Sequence, residues 1–337
     1  MSNPNPVNMA ASVEAKLKNI TAERRIDYRF ILIRYATERF LYRLSISPSA
    51  AQFVLKGGNL FVIWQNGRDY RPTVDSDMLC FGDATPEHLR RVFADACRTD
   101  SVSVDGMVFD PDSIEISSIR EETEYGGTRI LLTAYLGRAR IRLQFDIGVG
   151  DAITPPPELA DFPVLLNGPV PRLKAYPMAT TIAEKAEVMV SRGIINSRLK
   201  DFYDLWLLSE LFDHDYETLR LAVENTFARR RVSLPESIPE AWTPEFAASP
   251  TKATQWAAFL RKNKAATAPA YFTAVGARLS SFLTPVFLPP ERKPTTWRAA
   301  GNGAGGRWEQ ETGIIAGVIG KGILKQYIKG QLGDSQK

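Results

Sequence analysis

Apolar and polar positions along the chain follow two different periods. Apolar residues recur at helical spacing from residue 13 to about residue 44, with charged residues between them, and this predicts one long helix. The same period predicts further helices over residues 86–98, 180–190, 198–208, 216–230, 251–262 and 269–283. The second half of the chain is therefore predicted to be mainly helical.

Shorter stretches with strand patterns lie between these helices. The apolar run 53–56 ends at Gly57-Gly58, and residues 59–65 return to a helical pattern, which predicts a strand, a tight turn and a helix. Residues 74–81 alternate as a half-buried strand does, so Asp75 and Asp77 share one face. Residues 129–135 and 140–148 are typical of a hairpin, and Asp146 lies on the polar face of its second strand.

The order of these elements predicts an α/β (α+β) fold, with a mixed sheet surrounded by helices and a mainly helical C-terminal region. Thr154-Pro-Pro-Pro157 interrupts the pattern, so we expect a first domain over residues 1–157 and a helical domain over residues 158–300. Residues 235–250 are predicted to be a Pro-rich loop, and no order is predicted beyond Pro285. Residues 301–337 are expected to form a Gly-rich joint and an amphipathic or flexible tail.

Composition removes several classes of protein. With 337 residues, 44% hydrophobic and 24% charged, the chain has the values of a globular protein. Two cysteines and two histidines nearly exclude a structural zinc site or a disulfide framework. The net charge of +4 allows contact with a polyanion only through local basic stretches, such as residues 138–142 and 229–231. The N-terminus lacks a signal-peptide pattern, and no apolar run approaches the ~20 residues of a membrane span, so we expect a cytoplasmic protein without membrane contact.

The glycine turn and the aspartate pair suggest the chemistry. Glycines let the backbone approach an anion closely, and the N-terminus of a helix offers free N–H groups to phosphate. Asp75 and Asp77 on one strand face can hold a hard divalent cation, and Asp146 on a neighbouring strand could complete the set. Alternatively, Asp146 forms an ordinary ion pair with Arg140 or Arg142. Three carboxylates around Mg²⁺, with a two-ion site possible, are what phosphoryl or nucleotidyl transfer requires.

Several motifs in a fixed order resemble a known family. The chain carries Arg39-Phe-Leu-Tyr-Arg-Leu-Ser-Ile-Ser-Pro48, Phe53-Val-Leu-Lys-Gly-Gly58, Arg71-Pro-Thr-Val-Asp-Ser-Asp77, Ile182-Ala-Glu-Lys185 and Arg198-Leu-Lys-Asp-Phe-Tyr-Asp-Leu205. Together these motifs closely resemble those of the AbiEii/AbiGii-type nucleotidyltransferase toxins, which belong to the DNA polymerase β-like nucleotidyltransferase superfamily. The resemblance extends over roughly residues 27–211 and implies a nucleotidyltransferase core.

The resemblance also implies roles for individual residues. Asp75 and Asp77 would bind Mg²⁺, with Asp146 as a further candidate ligand, and Lys185 would contact the triphosphate. An aspartate of the last motif is implicated as well, and the match leaves Asp201 and Asp204 as alternatives. Ordinary helix ion pairs, of Asp201 with Arg198 and of Asp204 with Lys200, are the competing interpretation. The residues expected to bind nucleotide are Lys56, Gly57, Gly58, Asn59, Arg71, Thr73 and Lys185.

A nucleotidyltransferase toxin of this kind would transfer NMP from an NTP to an acceptor and release pyrophosphate. Members of the family are linked to abortive phage infection and are paired with an antitoxin protein, and some add nucleotides to the 3′ end of tRNA. The resemblance therefore implies tRNA as the first acceptor and a protein hydroxyl as the second. A small-molecule nucleotidyltransferase of the aminoglycoside-modifying kind and a non-catalytic nucleotide-binding module are the other hypotheses.

Overall fold

The structure, a computed structural model, describes residues 6–67, 71–99, 105–119, 126–263, 265, 267–300 and 306–310. Its helices are α1 (Pro6–Arg24), α2 (Tyr28–Ser45), α3 (Leu60–Trp64), α4 (Pro86–Arg98), α5 (Met178–Arg192), α6 (Leu199–Leu211), α7 (Tyr216–Arg229), α8 (Pro244–Ala248), α9 (Pro250–Asn263) and α10 (Phe272–Phe287). Its strands are β1 (Phe53–Lys56), β2 (Asp75–Cys80), β3 (Met107–Ile119), β4 (Gly127–Leu136), β5 (Ala139–Val149), β6 (Glu158–Asp161), β7 (Arg172–Ala175), β8 (His214–Asp215), β9 (Pro294–Arg298) and β10 (Arg307–Gln310).

A mixed sheet forms the centre of the N-terminal half, as predicted. Over the described residues its seven strands follow the order β3-β4-β5-β2-β1-β7-β6. β2 runs parallel to β5, β1 runs parallel to β7, and the other neighbours are antiparallel. The predicted hairpin is confirmed as β4 and β5, whereas β3 is a strand that the apolar pattern did not predict.

One face of this sheet is apolar and covered by α2 and α4. Phe145 of β5 lies 4.8 Å from Phe40 of α2 and 5.2 Å from Phe93 of α4, measured between ring centroids. The alternation in β5 explains this packing, because Ile141, Leu143, Phe145 and Ile147 share the covered face and are buried. The polar residues of the central strands therefore lie on the opposite face.

The long helix predicted over residues 13–44 is two helices. α1 ends at Arg24 and α2 begins at Tyr28. Arg25 between them has a positive φ of 54°, and the Asp27 side chain accepts a hydrogen bond of 2.8 Å from the Arg29 N–H at the start of α2. This N-cap restarts the helix, and the apolar period hides the break because both helices bury residues in the same cluster.

The C-terminal half forms a second buried cluster. It contains residues of α5, α6, α7, α8 and α10, together with four tryptophans of low exposure: Trp206, Trp242, Trp256 and Trp297. The stretch 235–250, predicted as a loop, includes the short helix α8, and α10 continues through Pro285 to Phe287. Strands β8, β9 and β10 form a small antiparallel sheet. β9 and β10 lie beyond Pro285, where no order was predicted, and β8 lies between two of the predicted helices.

The two buried clusters meet at Trp64, which packs against both. β6 and β7 follow residue 157 and extend the central sheet, with β7 paired to β1 and β6 paired to β7. The predicted joint at 301–305 and the tail at 311–337 lie outside the described residues. None of the helices in the described ranges is long and apolar enough to cross a membrane.

Candidate active site

Four charged residues lie in one row across four neighbouring strands. Lys56 of β1 is in register with Asp77 of β2. Asp77 is in register with Asp146 of β5, and Asp146 with Arg129 of β4. Residues in register on adjacent strands share a face, so the row places two carboxylates between two cations.

Asp75 lies two residues before Asp77 on β2 and brings a third carboxylate to the same face. One oxygen each of Asp75, Asp77 and Asp146 lies within 4.8 Å of the other two. The pKa of Asp77 is raised to about 6, by burial and by the charges of Asp75 and Asp146, against the opposing effects of Lys56 and Lys200. Oxygen ligands at this spacing suit a hard divalent cation, which would also relieve the repulsion among the carboxylates.

Arg129 holds the third carboxylate in place. Its Nε and Nη2 donate to the two oxygens of Asp146, both at 2.8 Å, and the Gln144 amide donates to the same carboxylate at 3.3 and 3.2 Å. The predicted pairing of Asp146 with Arg140 or Arg142 is wrong; Arg142 pairs with Glu115 at 2.7 Å. Sequence reasoning missed Arg129, although a hairpin that turns at residues 137–138 places residue 129 opposite residue 146.

The glycine turn packs directly against the carboxylates. Gly57 has φ +73°, and a Cβ there would overlap the carboxylate of Asp77. A Cβ on Gly58 would lie 2.9 Å from the Thr73 hydroxyl and 3.4 Å from Nη2 of Arg71. The absence of a side chain at Gly57 lets the backbone approach Asp77 this closely, and its absence at Gly58 leaves room for Thr73 and Arg71.

Asn59 and Lys56, which are expected to bind nucleotide, also make contacts within the protein. The buried Asn59 amide donates to the Ser76 hydroxyl at 2.9 Å. The Lys56 ammonium donates to Asp151 at 2.5 Å and to Glu184 at 3.4 Å. Burial would lower the pKa of Lys56, but the charges of Glu184 and Asp151 raise it above its usual value, so the ammonium stays charged.

Lys185 lies between the two aspartates that the sequence left as alternatives. Its ammonium donates to Asp201 at 2.7 Å and to Asp204 at 2.8 Å. Asp201 also accepts from Arg198 at 2.7 Å, and Asp204 accepts two hydrogen bonds from Arg71, each at 2.7 Å. Both aspartates thus belong to one buried ionic cluster, which we call the Lys185 cluster (Arg71, Lys185, Arg198, Asp201 and Asp204).

The Lys185 cluster joins the two halves of the molecule. Arg71 comes from the segment before β2, Lys185 from α5 and Asp204 from α6. Asp204 binds Arg71 rather than Lys200, the ordinary helix partner considered for it, whereas Asp201 does bind Arg198. Because Arg71 also lies beside Gly58, the cluster reaches the glycine turn.

The residues of the candidate active site lie within a match to a protein-family model. The model of the nucleotidyl transferase AbiEii toxin, of type IV toxin–antitoxin systems, matches residues 39–278. The chain belongs to this family. The match covers more than half of the 337 residues and includes every candidate site residue named above. Membership supports a nucleotidyl transfer enzyme that acts as a toxin, uses a nucleotide substrate and has a cognate antitoxin.

Solved structures with a similar arrangement come from Helicobacter pylori. One is the protein JHP933, which is 12% identical, covers 74% of this chain and 88% of its own, and has a TM-score of 0.41. Another, described as a candidate nucleotidyltransferase, is 12% identical, covers 78% of this chain and 96% of its own, and has a TM-score of 0.44. A search of curated proteins found no match.

Proposed function

We propose that this chain transfers NMP from an NTP to the 3′ end of tRNA, with Mg²⁺ as cofactor, and that this reaction is its toxic activity. The observation that carries the proposal is the close approach of Asp75, Asp77 and Asp146 beside the glycine turn. A cluster of carboxylates next to exposed backbone is suited to binding a cation together with the phosphates of a nucleotide.

The donor set fits Mg²⁺. Asp75, Asp77 and Asp146 would hold it through carboxylate oxygens, the ligands that this cation prefers. When bound, Mg²⁺ neutralises the charge that develops on the transferred phosphoryl group. The raised pKa of Asp77 is consistent with this role, because burial and the neighbouring carboxylates disfavour its negative charge and a bound cation would favour it.

Lys185 and Arg71 are the cations proposed to bind the departing phosphates. Lys185 uses two of its three N–H donors on Asp201 and Asp204, and Arg71 uses two of five on Asp204. Each therefore keeps donors for phosphate, while the aspartates fix the direction in which those donors point. Asp201 and Asp204 would act as positioning residues for these cations.

The acceptor would attack the α-phosphate through a hydroxyl, and pyrophosphate would leave. Water must be excluded from this step, or the NTP would be hydrolysed. The partial exposure of Asp75, Asp77 and Asp146 supports such a site, since none of the three carboxylates is fully open to solvent.

The test is transfer of label from each α-labelled NTP to total tRNA in the presence of Mg²⁺. We expect label on RNA with the unmodified chain and its loss with Asp77→Asn, which keeps the size of the side chain but removes its charge. Asp112→Asn, at an exposed aspartate of β3, is the matched control and should keep full activity. Label on protein instead of RNA, or full activity of Asp77→Asn, would contradict the proposal.

A further inference from the structure

A cavity opens beside the carboxylates and the glycine turn, where Asn59, Arg71 and Thr73 form part of its lining. Its volume is about 360 Å³, and it lies at the break between α1 and α2, the start of β2 and the end of α9. Asp75 forms part of its wall, so the cavity is continuous with the candidate active site. A volume near the lower end of the ~300–1,000 Å³ typical of ligand pockets suits a group of about the size of one nucleotide.

Cations outnumber carboxylates around this cavity. Among its described lining residues, Arg24, Arg25, Arg34, Arg71 and Lys262 carry positive charge, whereas Asp27 and Asp75 carry negative charge. Asp27 is occupied as the N-cap of α2. Such an excess of cations attracts an anionic ligand such as a phosphate.

Two of these cations lie at the rim and face solvent. Arg25 and Lys262 are exposed, and neither forms an ion pair with another described residue. Arg34 and Arg71, by contrast, lie deeper, where Arg34 donates to the Pro163 carbonyl at 2.9 Å and Arg71 binds Asp204. The rim cations are therefore available to a ligand that enters from outside.

Apolar side chains also line the cavity. Ile26 and Phe30 line the cavity and are half-buried, and Val74, which is 46% exposed, extends the wall beside Asp75. Aromatic and apolar side chains next to cations are the usual surroundings of an unpaired base and its phosphate.

We propose that this cavity binds the terminal nucleotide of the acceptor RNA, with its base against Ile26 and Phe30 and a phosphate near Arg25 and Lys262. The inference rests on the proposed function and adds the place where the acceptor binds. Asn59, Arg71, Thr73 and Asp75, which belong to the proposed nucleotide and metal site, line one part of the cavity, whereas Arg25, Ile26, Phe30 and Lys262 are not among the residues proposed to bind the NTP. The part of the cavity at Arg25, Ile26, Phe30 and Lys262 therefore adjoins the proposed donor site and is placed to hold the group that receives the nucleotide.

The test separates RNA binding from transfer. The double variant Arg25→Gln with Lys262→Gln removes the two rim cations, and Lys16→Gln with Arg307→Gln removes two exposed cations elsewhere, as a control matched in charge. The dissociation constant of a fluorescent single-stranded RNA with a free 3′ hydroxyl is measured by anisotropy, without NTP, over a range of salt concentrations. The KM values for tRNA and for NTP are measured separately where transfer occurs.

We expect the rim variant to bind RNA about tenfold more weakly, with a shallower salt dependence, because two phosphate contacts are lost. Its KM for tRNA should rise by a similar factor while its KM for NTP stays unchanged. Phe30→Leu should also weaken RNA binding several-fold by removing base stacking, at both low and high salt.

A rise in the KM for NTP alone would overturn the assignment and make the cavity part of the donor site. Equal RNA binding by the rim variant and the control would overturn it too. These results are distinct from failure of the proposed function: if the unmodified chain labels a protein instead of RNA, the acceptor assignment fails, while the RNA-binding measurement still tests the cavity on its own.

Discussion

Asp204→Asn should destabilise the protein more than any other single change of a carboxylate to an amide in the Lys185 cluster. The Asp204 side chain is 1% exposed and accepts three charge-assisted hydrogen bonds, of 2.7, 2.7 and 2.8 Å. Asparagine keeps its volume but removes the charge that Arg71 and Lys185 share. Removal of one partner from a buried ionic cluster costs about 3–5 kcal/mol of unfolding free energy.

Asp201→Asn provides the comparison within the same cluster. Asp201 accepts one hydrogen bond from Lys185 and one from Arg198, but the Arg198 side chain is 41% exposed and can be solvated after the change. Lys185 would keep Asp204 as its partner. The expected cost is about 2 kcal/mol of unfolding free energy, which lies within the range for hydrogen bonds to a charged group.

Asp213→Asn is the surface control. Asp213 pairs with Arg298 at 2.7 Å, and the two side chains are 48% and 50% exposed. Exposed pairs of this kind contribute at most about 1 kcal/mol. All three aspartates belong to α6 or the residues that directly follow it, so the variants probe one region of the fold.

Urea unfolding followed by tryptophan fluorescence measures these costs, because Trp206 and Trp256 are buried in the same half of the molecule as Asp204. The expected order of destabilisation is Asp204→Asn, then Asp201→Asn, then Asp213→Asn. If Asp204→Asn costs no more than Asp213→Asn, the buried cluster does not stabilise the fold as its geometry indicates, and the reasoning is refuted.

The pH dependence of the unfolding free energy gives a second check that ionised Asp204 stabilises the fold. Burial would raise the pKa of Asp204, but Arg71 and Lys185 outweigh it and hold the pKa below its usual value. A lowered pKa contributes stability that is complete above the unfolded value of about 3.9 and is lost as the pH falls below it. The stability difference between the unmodified chain and Asp204→Asn should therefore be constant from pH 7 to about 5 and shrink below about pH 4.

Three further changes probe the carboxylates and the glycine turn. Gly57→Ala should abolish nucleotide transfer, because its Cβ would overlap the carboxylate of Asp77. Gly82→Ala is the control and should stay active, because Gly82 also has a positive φ but no atom lies within 4 Å of the added Cβ. Equal activities of the two variants in the transfer assay would contradict this reasoning. The pKa of about 6 for Asp77 predicts that the affinity for Mn²⁺, a spectroscopic substitute for Mg²⁺, falls about tenfold per pH unit below pH 6, and a constant affinity between pH 7 and 5 would refute it. Arg129→Gln removes a positive charge from Asp146 and should tighten Mn²⁺ binding several-fold; weaker binding would show that Arg129 mainly orients the carboxylate.

The parts of the site that lie within a few residues of one another were predictable from the sequence. The strand, glycine turn and helix around Gly57 depend on local backbone preferences, and the alternation around Asp75 and Asp77 assigns both to one face. Asp146 follows in the same way from alternation in β5. Only the parallel pairing of β2 with β5 brings the three carboxylates together, and a local pattern does not specify which strands pair.

The contacts between distant segments could not be predicted in this way. Arg71 and Asp204 are 133 positions apart, and Lys56 and Asp151 are 95 apart, so no periodic pattern relates them. The sequence motifs placed Lys56 with the nucleotide-binding residues, whereas Asp151 and Glu184 occupy its ammonium. Tertiary packing thus places the two lysines of the predicted nucleotide site, Lys56 and Lys185, in different ionic clusters.

The choice between Asp201 and Asp204 shows why the sequence alone stayed undecided. A spacing of three puts both carboxylates on one face of α6, and one ammonium with three donors can bind both at 2.7 and 2.8 Å. The two then differ through their second partners: Asp201 turns to the exposed Arg198, and Asp204 to Arg71 beside the glycine turn. Asp204 is therefore the aspartate that connects Lys185 to Arg71 and the glycine turn. This distinction depends on Arg71, which lies outside the motif that contains both aspartates.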